Sequence, residues 1–99
     1  MTQPIYKMYW AKFSDTWYQL PDDEQATLLA QMRQLRDEVG AKRVMSCNCR
    51  WSSEAWDMFG IEEYPGLEAV QSYAKALQEI GWFRYIEGDS MLGTDWHTT

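Results

Sequence analysis

Residues 5–13 read Ile5-Tyr6-Lys7-Met8-Tyr9-Trp10-Ala11-Lys12-Phe13, and four of the nine are aromatic. A run of this kind reads as a β-strand. Side chains alternate along a strand, so Tyr6, Met8 and Trp10 share one face while Ile5, Tyr9, Ala11 and Phe13 share the other. Only Lys7 and Lys12 interrupt. A strand with one wet face alternates apolar with polar residues; this one is apolar on both sides, so both faces of its sheet need a cover.

Outward from this strand, residues 14–20 read as a loop, and Pro21-Asp22-Asp23-Glu24 carries helix-start chemistry, with Asp22 as cap and Gln25 as its capping-box partner. Leu28, Met32, Leu35 and Val39 then recur at helical spacing until Gly40. Residues 42–51 read as a second strand, with Met45, Cys47, Cys49 and Trp51 on one face and Val44, Ser46, Asn48 and Arg50 on the other. Residues 52–55 suit a four-residue hairpin loop, followed by a third strand over 56–64, in which Trp56, Met58 and Tyr64 alternate against Phe59 and Ile61. Pro65-Gly66 breaks that strand. Leu67, Val70, Tyr73, Ala74, Leu77 and Ile80 predict a second helix ending near Gly81, and a last strand is expected over 89–94.

The order β-α-β-β-α-β predicts an α+β, ferredoxin-like domain over residues 1–99: a four-stranded antiparallel sheet with two helices on one face. Two helices cover one face only. Phe59, Ile61, Ile5, Tyr9 and Phe13 are then expected to form an exposed patch, which a second copy packed sheet to sheet would bury. In element order, size and two-faced strands the chain resembles the dimeric α/β-barrel superfamily, near the antibiotic-biosynthesis monooxygenases and muconolactone isomerase-like proteins, and including haem-degrading relatives. That resemblance implies homodimers with a small-molecule pocket between the sheet and the helices of each subunit. It implies no single chemistry.

Nine Lys and Arg against fifteen Asp and Glu leave a net charge of −6, and no basic cluster follows the chain. Nucleic acid and anionic membrane surfaces are therefore excluded as expected partners. The first ten residues lack the basic start and long apolar core of a signal peptide, so a cytoplasmic location is expected. Cys47 and Cys49 with the lone His97 fall short of four zinc ligands, so no metal site is read here and the cysteines are expected to be small buried hydrophobes. No cofactor is expected, and the second helix carries no His for haem iron.

Alternating strand directions bring residues 14–20, 52–55 and 81–88 to one end. Trp17, Trp51, Trp56 and Trp82 gather there, and an aromatic wall suits either an organic ligand or a plug for the core. Trp10, Trp17, Trp51, Trp56, Tyr64 and Trp82 are the candidate ligand-binding residues. Tyr73 and Arg84 are the candidate catalytic pair, orienting or polarising a carbonyl. Asn48 and Arg50 are unexpected in a strand: they suit an oxyanion or a structural pairing, and alternation puts them on the dimer side. His97 is the one natural base near neutrality, at a chain end. The expected function is a cofactor-independent monooxygenase, isomerase or cyclase acting on an aromatic or polyketide-like molecule, or a non-catalytic carrier of one. With an 11.7 kDa chain, light scattering at micromolar concentration is expected to return twice the chain mass; a monomer mass without hydrophobic-dye uptake would contradict the two-faced sheet.

Overall fold

The computed structural model describes residues 3–96 and orders the elements as β1 (Ile5–Phe13), α1 (Asp15–Tyr18), α2 (Asp22–Glu38), β2 (Lys42–Asn48), β3 (Met58–Tyr64), α3 (Leu67–Glu79), a 3-10 turn (Trp82–Arg84) and β4 (Ile86–Gly93). The sheet runs β2-β3-β1-β4 with all neighbours antiparallel, as the ferredoxin-like reading requires. One short helix, α1, is added where a loop is predicted. Three acids occupy the first turn of α2, where the helix dipole favours them. Asp22 opens the helix without capping it, and Gln25 donates to the Trp17 carbonyl at 2.9 Å instead of closing a capping box. Gly40 and Gly81, at φ +77° and +75°, end α2 and α3 in the left-handed region that glycine adopts without strain.

The hairpin strands are shorter than their hydrophobic pattern predicts. Asn48 Oδ1 accepts the N–H of Arg50, and Ser53 Oγ accepts those of Ala55 and Trp56. Side chains thus take up the backbone donors that a ladder would need, and the chain turns early. β4 begins three residues sooner than predicted, because it pairs along β1 from Phe13↔Ile86 to Tyr6↔Gly93.

Register decides which face each side chain meets, and here two expectations are corrected. Trp10 pairs with Phe59 and Met8 with Ile61, so Phe59 and Ile61 lie beside Tyr6, Met8 and Trp10 on the outer face. Ile5 and Phe13 pack instead with Tyr64 in the core under the helices, and Tyr9 shares their side of β1. Asn48 pairs with Met58 on that same inner side, while Met45 and Cys47 pair with Ile61 and Phe59 outside. The sequence-based orientation of β2 was anchored on Trp51, which stands in the turn beyond the strand. A register shift between Arg43 and Met45 also reverses the alternation, so no single parity runs through β2.

The core is formed by Trp17, Ala41, Tyr64, Tyr73, Leu77 and Trp82, with Tyr64 only 1% exposed. Phe13 stacks on Trp17 at 4.5 Å, and Trp82 meets both edge-on. No residue of α2 is fully buried; its Leu28, Leu29, Met32, Leu35 and Val39 stripe is half-covered. Of the cysteines, Cys49 is buried and Cys47 half-buried, and both are free thiols.

Arg50 and Asn48 serve the hairpin. Arg50 pairs with Asp57 at 3.3 Å and donates to the Tyr18 hydroxyl at 2.9 Å, while Asp57 accepts the Phe13 N–H at 3.0 Å. The clamp joins the hairpin to β1 and α1. Desolvation opposes the charge on Asp57, but the Phe13 N–H and the Arg50 guanidinium outweigh it and hold the carboxyl below its usual range. A depressed carboxylate stabilises the fold above its unfolded pKa, and that contribution fades as pH falls through the folded value. Asp57→Ala is therefore expected to cost about 2 kcal/mol at pH 7. The gap from wild type in urea-unfolding midpoint is expected to narrow below about pH 4.

Candidate functional site

Because α2 rides above the sheet, a cavity of about 360 Å³ opens between the inner sheet face and the helices. Inner-face residues of all four strands reach it: Lys7, Tyr9, Ala11 and Phe13 from β1, Arg43 and Ser46 from β2, Met58 and Glu62 from β3, Ile86, Gly88 and Ser90 from β4. The helices add Leu29, Met32, Arg33 and Arg36 from α2 and Tyr73 and Leu77 from α3, with Trp82 and Phe83 beyond. Its volume falls in the range of small-molecule sites.

The two ends differ in chemistry. Phe13, Trp82 and Ile86 line one, whereas at the other Lys7, Glu62 and Arg43 stand in one register row across three strands. Phe13 lies six positions along β1 from Lys7, or about 20 Å. Midway, the Tyr9 ring lies across Gly60, where a Cβ would come within 2.6 Å of the Tyr9 hydroxyl and 2.5 Å of the Met45 carbonyl oxygen. Only glycine admits that ring.

Glu62 is buried and accepts a 2.8 Å hydrogen bond from the Tyr64 hydroxyl. Burial, with the charge of Glu62 behind it, raises the Tyr73 phenol well above its usual range, and Tyr64 is raised by the same two causes. Both phenols stay protonated donors across the physiological range. An iron-bearing group of the kind implied by haem-degrading relatives does not suit this wall. Among the described residues its lining includes neither His nor Cys, and a phenol held protonated is a poor iron ligand.

Of the residues singled out from sequence, Tyr73, Trp82 and Trp10 border the cavity, although alternation turns the Trp10 side chain to the outer face. Trp17 is core, stacked on Phe13, and Tyr64 reaches the site through its bond to Glu62. Trp51, 84% exposed, and the half-buried Trp56 stay on the hairpin. Arg84 is exposed and lines a separate hollow with Gln78 and Glu79. His97 lies outside the described residues. The aromatic gathering is thus mainly a plug, whose inner surface forms one end of the cavity.

Sequence reasoning passed over Lys7, Tyr9, Arg36, Arg43 and Glu62 as residues that line a cavity. Parity signalled two of them: Lys7 alternates with Ile5 and Tyr9, and Glu62 with Met58 and Tyr64. Arg36 follows Met32 by four residues on the inward stripe. Arg43 carries no such signal, since the shift beside it hides its face.

With the sheet order and two-sided strands established, the comparison with solved structures is decisive for the architecture. The fold is ferredoxin-like. A point variant of chlorite dismutase from Candidatus Nitrospira defluvii superimposes with a TM-score of 0.77 at 15% identity, covering 99% of this chain and 42% of that one. SnoaB, a cofactor-independent oxygenase from Streptomyces nogalater, matches with a TM-score of 0.59 at 11% identity, covering 98% and 97%. A dimeric ferredoxin-like protein of unknown function from Thermobifida fusca YX matches with a TM-score of 0.59 at 10% identity, covering 96% and 93%. The chain therefore spans less than half the length of the chlorite dismutase chain. No protein-family model and no curated protein sequence matches it. Among the described residues, no helix is long and apolar enough to cross a membrane.

Removing the Tyr64 hydroxyl leaves Glu62 buried without its donor. Tyr64→Phe is expected to lower unfolding free energy by about 1–3 kcal/mol, read from chemical denaturation, with the far-UV spectrum unchanged.

Proposed function

We propose that this chain is a homodimeric, cofactor-independent enzyme that moves a proton on an aromatic or polyketide-like molecule, as an oxygenase, isomerase or cyclase. The observation that carries this reading is the buried carboxylate of Glu62, facing a cavity that also holds arginines and a phenol kept protonated. In this reading Glu62 takes a proton from an acidic C–H beside a carbonyl, and the electron pair moves to the carbonyl oxygen as an enolate. The Tyr73 hydroxyl holds that oxygen, and the positive charge of the cavity offsets the charge it gains. Isomerisation returns the proton to another carbon. Oxygenation converts a CH₂ group and dioxygen into a carbonyl and water, with dioxygen as the oxidant. The likeness to SnoaB supports the second course.

The dimer is supported by the outer sheet face. Met8, Met45, Phe59 and Met91 are each at least 40% exposed there, in one patch with Tyr6, Trp10 and Ile61. A second copy buries them, and the dimeric neighbour supports that assembly. The carrier reading rests on a different observation: Glu62 already accepts from Tyr64 and lies between two cations in register, which suits a structural carboxylate.

One experiment separates the two. Aromatic 1,3-diketones and hydroxyquinones are incubated with the protein, with and without dioxygen in D₂O, and deuterium incorporation and oxygen uptake are followed. Wild type is expected to turn over at least one compound, and Glu62→Gln to lose about 100-fold or more in rate while still binding it. Tight binding without turnover in wild type leaves the carrier.

A further inference from the structure

We infer that the ligand is an aromatic acid, with a carboxylate held by Arg36 and Arg43 and its ring lying beside Tyr9, toward the aromatic end of the cavity. The inference rests on the reading of this cavity as the ligand site. The chain is acidic overall, at −6, yet four of its nine cations line this one cavity, against two of its fifteen carboxylates. One of those two, Asp89, pairs with Trp10 and so projects its side chain to the outer face. Glu62 remains, and its register neighbours Lys7 and Arg43 already exceed its charge.

Arg36 and Arg33 then add positive charge from α2, and the charge of Arg36 is felt at the phenols of both Tyr64 and Tyr73. Lys12 pairs with Glu87 at 3.5 Å and Arg50 with Asp57 at 3.3 Å, and neither of these cations lines the cavity. Four cations beside one inward carboxylate leave the cavity net positive, and an anion entering from solvent offsets that charge. Arginine adds a planar fork that matches a carboxylate's two oxygens. Tyr9, midway along the cavity, supplies a flat surface for a ring, with the aromatic end beyond it.

Calorimetric titration with two probes of the same shape tests this: 1-naphthoate and the neutral 1-naphthalenemethanol. Wild type is expected to bind naphthoate about tenfold or more tightly than the alcohol. In 0.5 M NaCl the naphthoate is expected to weaken several-fold and the alcohol to hold. The double variant Arg36→Gln/Arg43→Gln is expected to bring the acid to within about twofold of the alcohol without moving the alcohol. Equal affinity of the two probes in wild type, or equal weakening of both in salt, overturns the aromatic-acid inference and leaves the cavity as a ligand site. Failure of both probes to bind wild type at millimolar concentration overturns the inference and the cavity reading together.

Discussion

Two helices cover one face of a four-stranded sheet, and in this chain neither face is polar. β1 sends Ile5, Tyr9, Ala11 and Phe13 toward the helices and Tyr6, Met8 and Trp10 away from them. β3 reinforces both sets, with Met58 and Tyr64 inward and Phe59 and Ile61 outward. The rest of the structure follows from how the two faces are satisfied. The outer one stays uncovered within a single chain. The inner one is covered unevenly, and a cavity is the consequence.

That unevenness has a local origin. α3 buries Tyr73 and Leu77, so it seats closely, whereas α2 buries nothing fully. Beneath α2 the sheet presents Tyr9 lying across Gly60 and the charged row Lys7–Glu62–Arg43. An apolar stripe of Leu and Met gains little by settling onto charge, since desolvating the row would cost more than the contact returns. The helix stands off, and the space between remains polar at one end and aromatic at the other. The same charges that hold α2 away are the ones that give the cavity its chemistry.

The aromatic end shows how one group of side chains takes two roles. Phe13, Trp17, Trp82 and Tyr85 pack ring to ring and close the domain where three connections meet. Trp82 and Phe13 also form the cavity's apolar end. The hairpin that carries Trp51 and Trp56 is tied down separately by Asp57 and Arg50, with those tryptophans left outside the plug.

Much of the fold was legible because periodicity is a local property. The β1 run, the Leu28–Val39 stripe and the stops at Gly40 and Gly81 announce strand, helix and boundary within a few residues, and their order leaves few topologies. The inward placement of Tyr73 was legible for the same reason. Parity along a strand says which residues share a face, but pairing with a neighbour says which face that is. The unpaired Val44 and the turn at Asn48 altered the pairing of β2, and with it the side taken by Arg43, Met45 and Asn48. Amino-acid sequence by itself determined the elements, their order and the excess of apolar surface. Tertiary structure alone decided that Lys7, Arg36, Arg43 and Glu62 meet around one cavity, because residues so far apart in the chain become neighbours only once three strands are in register and a helix is laid above them.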